Sequence, residues 1–436
     1  MFEKQAIVEW VLVKGHRGKG ADLVQEDADY VARRIKETGF NSIVWDAGRS
    51  IVTYHSKLEN VTLLWDRRDD QTDPHTVLLR KRCQLRYGIE QAKPLGLSFA
   101  ARLCMNRHYA GGPGTSHFSE ENPQFHCVNK EGKIDSGRLS YFFDEVKKER
   151  IDILNELAEI EGVDCIHLDF CRQPPHLAYH PKLVEAFIKE YGYDPREIKT
   201  PYYTDCLEWY QYRADIMTEF MRQLRAKVGS KANIEARIPD CAPWLNLYCG
   251  IDAEAWCRED LADKLTLSPL LSWASDPMPY TEYYATIAHA HGKKCIGGIG
   301  SLCLMNPVQR GYGREIYREA LEKNYEEGLI TERKYKEVKA LFAMSDEERF
   351  KKLYDREGIF ALAYKQYMAG IDGMSLYQAE TVVEEDWFAE DLQLLLDPEK
   401  TKAEYAKMGY PSTVRLYQTG TDWHSTVFMG NVGYDI

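Results

Sequence analysis

The sequence predicts an α/β protein of the (β/α)8 TIM-barrel class, and three observations lead to this prediction. Strand-like and helix-like segments alternate along the chain, which is typical of a parallel sheet covered by helices. Eight strand-like segments can be counted, and eight is the number of strands in such a barrel. The chain has 436 residues, of which 44% are hydrophobic, a size that suits one barrel with insertions.

The fourth strand-like segment, VDCIHLDF at residues 163–170, is the most informative stretch of the chain. Residues two apart on a strand share a face, so this segment has one apolar and one polar face. The apolar face carries Ile166, Leu168 and Phe170, and the other carries Cys165, His167, Asp169 and Cys171. A barrel strand becomes polar on its inner face near the C-terminal mouth, where catalytic residues lie. Burying a carboxylate without a partner is costly, so Asp169 is the primary candidate for a functional residue.

The other elements follow from the same criteria of apolar periodicity and bounding turn residues. Strands are expected at residues 5–13, 41–46, 97–105, 164–170, 232–238, 264–267, 294–299 and 374–378. Helices are expected at residues 26–38, 76–93, 140–160, 181–191, 205–228, 252–259, 280–291 and 358–369. Pro94 ends the second of these helices, and Pro239 ends the fifth strand. The stretch 106–137, rich in Gly, His, Asn and aromatic residues, is expected to be a long loop.

Two segments lie outside this repeating pattern. Residues 305–355 are expected to form a helical insertion after the seventh strand, with charged helices at 314–335 and 347–354. This insertion suits a solvated peripheral hairpin, and a moving lid over the mouth is the alternative. The barrel domain is therefore assigned to residues 1–390. Residues 391–436 are assigned to a C-terminal extension that packs on the barrel or on a partner subunit, which leaves a homo-oligomer open.

The net charge and the cysteine content limit the kinds of binding partner and the cellular compartment that the sequence supports. The net charge is −12 and the pI is near 5.6, so the chain lacks the basic footprint of a nucleic-acid-binding protein. An acidic chain also gives no support for binding to an anionic membrane, and no apolar run is long enough to span a bilayer. The 11 cysteines include no C-x-x-C pair and suit free thiols in a reducing compartment. A cytoplasmic location is expected, with the prior removal of a signal peptide left open.

Polar residues at the predicted C-terminal strand ends form the candidate site, because these ends meet at the barrel mouth. The second strand contributes Asp46, and the third strand with its loop contributes Arg102, Asn106, Arg107 and His108. The fourth contributes His167, Asp169 and Arg172, and the fifth contributes Glu235, Arg237 and Asp240. The eighth contributes Tyr377 and Glu380. Each of these residues also has a structural interpretation. Asp169 can be the buried ion-pair partner of an arginine, Glu235 can pair with Arg237, and His167 can fill a polar layer of the interior.

The chemistry that best fits this set is glycoside hydrolysis by paired carboxylates. One carboxyl group protonates the leaving oxygen, and the other acts as nucleophile or general base. Asp169 is expected to be the nucleophile or base, kept ionised by nearby arginines. Glu235 on the next strand is expected to be the acid, with Asp240 and Glu380 as alternatives for that role.

Signatures of other enzyme classes are missing from the sequence. The run Gly298-Ile299-Gly300 lacks the third glycine of a dinucleotide-binding loop, and no P-loop, H-E-x-x-H or G-x-S-x-G sequence occurs. The pair His167 and Asp169 supplies only one edge of a metal site. No cofactor and no metal are therefore expected.

Several stretches together resemble one family. Residues 162–172, GVDCIHLDFCR, resemble the "DGIHLDYxR" strand of the glycosyl-hydrolase-like family 10 proteins, and the stretches 139–146, 250–263 and 369–374 match other parts of that family in the same order. The resemblance covers roughly residues 5–390. It implies a TIM-barrel glycoside hydrolase with Asp169 on the strand that carries the family motif.

The leading hypothesis is therefore a glycoside hydrolase that cleaves an oligosaccharide or a polysaccharide fragment. The candidate arginines and His108 would bind hydroxyl groups or an anionic substituent of the sugar. A non-catalytic carbohydrate-binding barrel is the second hypothesis, and a metal-assisted barrel hydrolase or lyase is the third.

Overall fold

The computed structural model of the chain describes residues 2–8, 21–67, 72, 74–105, 115–171, 176–198, 206–268, 280–300, 321–323, 325–328, 331–344, 348, 356–377, 379 and 386–410. Its strands, numbered in chain order, are β1 Glu3–Val8, β2 Ser42–Gly48, β3 Ile51–Val52, β4 Thr62–Leu63, β5 Ser98–Cys104, β6 His126–Val128, β7 Ile134–Leu139, β8 Cys165–Asp169, β9 Asn233–Pro239, β10 Lys264–Ser268, β11 Lys294–Gly300 and β12 Gly373–Tyr377.

Eight of these strands form a closed parallel barrel. Their order around the barrel is β1, β2, β5, β8, β9, β10, β11 and β12, and β12 pairs again with β1. The seam between β12 and β1 needs Gly373, since a Cβ atom there would lie 2.5 Å from the carbonyl oxygen of Glu3. The predicted (β/α)8 barrel is thus confirmed. Each predicted barrel strand overlaps an observed one.

Helices cover the outside of the barrel. Their bounds are α1 Ala21–Thr38, α2 Pro74–Lys81, α3 Gln84–Ala92, α4 His117–Glu121, α5 Asp144–Ala158, α6 Pro181–Tyr191, α7 Leu207–Val228, α8 Pro243–Tyr248, α9 Ala253–Arg258, α10 Thr281–Ala290, α11 Glu332–Phe342, α12 Arg356–Met368, α13 Asp386–Leu395 and α14 Pro398–Lys407. Short 3-10 turns occur at Leu64–Asp66, Lys93–Leu95, Pro123–Phe125 and Pro195–Glu197.

Helix α6 shows how local sequence sets these bounds. Pro181 occupies the first helical turn, and the His180 side chain accepts a hydrogen bond from the Lys182 backbone N–H at 3.2 Å. The helix ends at Gly192, whose φ of 82° is left-handed and favours glycine. Its buried residues are Leu183, Val184 and Phe187, which lie on one side of the helix and pack into the core.

The structure corrects several predicted elements. The helix expected at 76–93 is two helices, α2 and α3, because the chain is extended at Cys83, with φ −66° and ψ 105°. The stretch expected to be a loop between 106 and 137 contains part of the antiparallel hairpin β6–β7. Within the insertion, the expected helix 314–335 is interrupted at Gly328, where φ is 70°, and α11 begins only at Glu332. Residues 305–320, 324, 329–330, 345–347, 349–355 and 411–436 of the insertion and extension lie outside the described residues, and with them all but one residue of the helix expected at 347–354.

Among the described residues, His176 and Arg213 are buried side chains in which every side-chain nitrogen lacks a hydrogen-bond partner. His176 packs on the edges of Tyr141 and Phe170, and its burial lowers its pKa to about 3. The Arg213 guanidinium is fully buried and lies 4.5 Å from the ring centre of Tyr248, with three further aromatic rings within 6 Å. Cation–π contacts of this kind compensate part of the cost of burying the charge.

Within the described residues, ten cysteines are free thiols, nine of them buried. None of the helices in that part of the chain combines the length and the hydropathy needed to cross a membrane.

Candidate active site

The interior of the barrel is polar along much of its height. Gln5 on β1 donates to Glu235 on β9, and the Tyr377 ring on β12 lies over Arg237 on β9. Since β9 is a neighbour of neither β1 nor β12 in the sheet, these contacts cross the interior. We divide the interior into two clusters. The mouth cluster consists of Asp46, Arg102, Asp169, Arg237, Ser268 and Tyr377, and the lower cluster consists of Gln5, Cys165, His167, Glu235, Lys264 and Thr266.

Asp169 is the centre of the mouth cluster and the last residue of β8. Its Oδ2 accepts hydrogen bonds from Arg102 Nε at 2.8 Å and from Arg237 Nη1 at 2.9 Å. Its Oδ1 accepts from Arg237 Nη1 at 2.9 Å and from the Cys171 backbone N–H at 3.0 Å. The side chain is fully buried. The carboxylate therefore lies between two arginines at the C-terminal end of the barrel.

The two arginines determine the protonation state of Asp169. Burial alone would raise the pKa of this carboxyl group, but the charges of Arg237 and then Arg102 outweigh burial and lower the pKa below its usual value. Asp169 is thus ionised at neutral pH, as expected for a nucleophile, a general base or an ion-pair partner.

The remaining mouth residues hold the arginines in place. Arg102 Nη1 donates to Asp46 Oδ1 at 2.7 Å, and the Asp46 side chain keeps 10% exposure. Arg237 Nη2 donates to Ser268 Oγ at 2.6 Å. The Tyr377 ring centre lies 4.2 Å from the Arg237 guanidinium carbon and 5.5 Å from that of Arg102. Arg102, Arg237, Asp46 and Tyr377 were all predicted for this site, and the structure brings them together around Asp169.

Glu235 lies deeper than the sequence suggested. In the pairing of β8 with β9, Asp169 is opposite Arg237 and His167 is opposite Glu235, two residues farther from the mouth. Glu235 is fully buried and accepts hydrogen bonds from Gln5 Nε2 at 2.8 Å, from His167 Nδ1 at 3.0 Å and from Thr266. The expectation that Glu235 faces Asp169 across the mouth is therefore corrected.

The pKa of Glu235 is also unlike that of a general acid. Burial would raise it, but the ammonium group of Lys264, at 3.0 Å, and then His167 lower the pKa well below its usual value. Lys264 also contacts Glu3 at 2.8 Å. A general acid needs a proton at neutral pH, whereas Glu235 is held ionised. His167, predicted to touch substrate, is fully buried, and its Nε2 has no hydrogen-bond partner.

Asp240 follows β9 and has the opposite property. Burial raises its pKa to about 6, although hydrogen bonds from Thr281 and the Tyr280 backbone act against this. Thr281 Oγ1 donates to Asp240 Oδ2 at 2.7 Å, and Thr281 is the first residue of α10, outside the barrel. Oδ1 of Asp240 has no hydrogen-bond partner. The pKa of Asp240 thus suits a general acid, but its carboxyl group is hydrogen-bonded to the first residue of α10.

The other predicted site residues lie outside the described residues: Asn106, Arg107, His108, Arg172 and Glu380. Sequence reasoning missed Lys264, Thr266 and Ser268. These three residues repeat at intervals of two along β10, as His167 and Asp169 do on β8. The same alternation would therefore have predicted that they face inward. Among the described residues, no group of three or more His, Cys, Asp or Glu side chains is arranged to hold a metal ion.

Comparison by sequence identifies no relative. No protein-family model matches the chain, and no curated protein matches it. The family resemblance of the 162–172 stretch is therefore not confirmed.

Comparison by structure finds a glycoside hydrolase domain with the same barrel. The PgaB (BpsB) glycoside hydrolase domain from Bordetella bronchiseptica matches with a TM-score of 0.55 and 12% identity, over 91% of this chain and 99% of that domain. The alpha-L-fucosidase isoenzyme 2 from Paenibacillus thiaminolyticus matches with a TM-score of 0.49 and 12% identity, over 94% of this chain and 50% of that one. At such identity the first match establishes the fold alone, and the second is too distant to support an argument.

Proposed function

We propose that the protein is a glycoside hydrolase that cleaves O-glycosidic bonds of an oligosaccharide or a polysaccharide fragment at the mouth of the barrel. The observation that carries this proposal is Asp169, an ionised carboxylate at the end of the fourth barrel strand, held between Arg102 and Arg237. A carboxylate kept ionised at the barrel mouth can act as nucleophile or general base toward a sugar. The PgaB (BpsB) glycoside hydrolase domain, which shares the barrel fold, supports the carbohydrate class of the substrate.

The charge of the mouth cluster supports a neutral substrate. Arg102 and Arg237 are both paired with Asp169, and Arg102 is also paired with Asp46. Two arginines and two aspartates leave the described part of the mouth without net positive charge. The described part of the mouth is therefore better suited to a neutral sugar than to one bearing sulfate or uronate groups.

The second carboxyl group is proposed to be one of the three that the sequence offered. Glu235 lacks the raised pKa that an acid requires, and Asp240 has that pKa but is bonded to α10. Loss of a general acid slows substrates with poor leaving groups far more than activated aryl glycosides. A leaving-group series on Glu235→Gln, Asp240→Asn and Glu380→Gln would identify the acid by this selective loss.

A non-catalytic carbohydrate-binding barrel is the second candidate function, and one observation favours it. Asp169 is fully buried and both of its oxygens accept hydrogen bonds, so a free lone pair must be made available before it can attack a sugar. In this alternative Asp169 would order the two arginines, and the barrel would bind a sugar without turnover.

Hydrolysis of a panel of aryl glycosides and natural oligosaccharides tests both candidates. We expect Asp169→Asn to lower kcat by about a hundredfold or more. The matched control is Asp164→Asn, since Asp164 precedes the same strand at its opposite end and pairs with Lys93 at 2.6 Å. Circular dichroism and the thermal midpoint would verify folding of both variants. Turnover that survives Asp169→Asn, or sugar binding with no turnover in the wild type, would overturn the hydrolase proposal.

A further inference from the structure

A cavity lies among the helices on the outer side of the barrel. It has a volume of about 370 Å³. It is bounded by the N-terminal part of α7 and by α8, α9 and α10. Its size falls within the range of small-molecule sites. We call it the outer cavity.

The outer cavity is attached to the rim of the barrel. Asn246 in its wall donates to the carbonyl oxygen of Pro239, the last residue of β9, at 3.1 Å. Tyr284, also in the wall, donates to the carbonyl oxygen of Cys241 at 2.8 Å. The carboxyl ends of the strands form the mouth, so the cavity lies on the outside of the same edge. Only a substrate chain long enough to pass over the end of β9 could occupy both the mouth and this cavity.

The polar groups of the lining suit hydroxyl groups. Asp252 and Glu254 supply carboxylate acceptors, and Arg258 supplies N–H donors. The amide groups of Gln211 and Asn246 are already used within the wall, by Asp215 and Asp252 and by Pro239 and Tyr284. A hydroxyl group both donates and accepts, so neighbouring hydroxyls of a sugar can use both kinds of partner. The hydrogen bond between Tyr283 Oη and Glu254 Oε2 is long, at 3.4 Å, so a ligand hydroxyl group could replace it.

The apolar part of the lining suits the C–H face of a sugar ring. The Tyr283 side chain is 37% exposed at the cavity, and Pro243, Leu247 and Ile251 add apolar surface. Tyrosine offers a flat, rigid ring with a polar tip, which is suited to an amphipathic ligand. The walls thus combine an exposed aromatic ring with donors and acceptors in a small volume.

The charge of the lining selects among ligands. Two carboxylates, Asp252 and Glu254, face one guanidinium, Arg258, so the lining has a net charge of −1. This charge opposes phosphate, sulfate and uronate groups. We propose that the outer cavity binds a neutral oligosaccharide segment of the same substrate chain whose other end occupies the mouth. This inference rests on the carbohydrate class of the proposed substrate, but not on catalysis.

Binding of neutral oligosaccharides of increasing length, measured by calorimetry in the Asp169→Asn background, tests the inference. We expect Tyr283→Ala to weaken the binding of longer oligosaccharides about tenfold, equivalent to about 1.4 kcal/mol. The matched control is Tyr30→Ala, because Tyr30 on α1 is 39% exposed and far along the chain from the cavity. A sulfated oligosaccharide is expected to bind no more tightly than its neutral counterpart.

Hydrogen–deuterium exchange of the unmutated chain gives a measurement that does not depend on the folding of a variant. Added oligosaccharide should slow exchange in peptides covering α9 and the start of α10. Equal affinity of the Tyr283→Ala and Tyr30→Ala variants, or unchanged exchange in these peptides, would overturn the inference while leaving any hydrolysis at the mouth intact. Tyr283-dependent binding, together with no turnover by the unmutated chain, would retain the inference and remove the hydrolase proposal.

Discussion

Replacing Glu235 by glutamine tests whether the lower cluster is a structural ion-pair network. The substitution preserves size but removes the charge that lies 3.0 Å from Lys264 Nζ. It also brings an amide NH2 group among donors, since His167 and Gln5 both direct N–H groups at the Glu235 carboxylate. The variant therefore loses a buried ion pair and places an amide NH2 group where the wild type has only acceptor oxygens.

The magnitude follows from the partners that remain. Removing one member of a buried ion pair costs about 3–5 kcal/mol in free energy of unfolding. Lys264 keeps Glu3 at 2.8 Å, so we expect a loss near the lower end, about 3 kcal/mol. Urea unfolding followed by circular dichroism and tryptophan fluorescence would measure it, with the slope against urea compared between variants.

The control is Glu159→Gln, which breaks a Glu–Lys pair of similar length, 2.7 Å, on the surface. We expect a much smaller effect there, since exposed pairs contribute little. Adding Lys264→Met to Glu235→Gln should recover only part of the stability, because it removes the ammonium that has lost Glu235 but also removes the partner of Glu3. A Glu235→Gln variant as stable as the Glu159→Gln control would refute the reasoning.

The same variant has a defined pH dependence. The folded pKa of Glu235 is lowered, so its stabilising contribution is complete above the unfolded value of about 4.3 and is lost as the pH falls through the folded pKa. The stability difference between wild type and Glu235→Gln should therefore shrink in acid and be largest near neutral pH.

Three further variants test other parts of the fold. The pKa of His176 is lowered to about 3, so between about pH 6.5 and that value only the unfolded state binds a proton at this residue. His176→Phe should therefore remove roughly 3 kcal/mol of the destabilisation seen on going from pH 7.5 to 4.5, and equal pH profiles of the wild type and the variant would contradict this. Gly373→Ala places a methyl group 2.5 Å from the Glu3 carbonyl oxygen and should cost about 1–3 kcal/mol in urea unfolding, whereas a neutral effect would mean that the seam can widen. Arg213→Met should leave the thermal midpoint unchanged or raise it, because the Arg213 nitrogen atoms donate to no acceptor. The matched variant Arg237→Met should lower the thermal midpoint, because it removes a donor to Asp169. Equal decreases of the thermal midpoint in the two variants would show that the aromatic rings compensate the Arg213 charge fully.

The barrel and the faces of its strands could be predicted from the sequence, but the depth of each side chain could not. Alternation shows that His167, Asp169, Glu235 and Arg237 point inward. The level at which each lies depends on the register between β8 and β9, which pairs Asp169 with Arg237 rather than with Glu235. Register is fixed by long-range packing around the closed barrel, so adjacent inward carboxylates in the sequence need not face each other.

Other differences have local causes. Asp240 is an odd number of residues from Glu235, so alternation alone would have placed it on the outer face, where it holds α10. The continuous apolar periodicity of residues 76–93 hid the extended residue Cys83 that separates two helices. Apolar spacing reports which side of a helix is buried, but it carries little information about a one-residue break.

The neutral mouth cluster has a consequence for how this chain can change in evolution. Asp169, Arg102, Arg237 and Asp46 share their charges, so a substitution at one position strands a charge at another. Single replacements there are selected against even where the new side chain fits, and tolerated changes come as compensating pairs. In a future set of homologous sequences these four positions should therefore vary together or not at all, and Asp164 at the opposite end of β8 should vary independently of them.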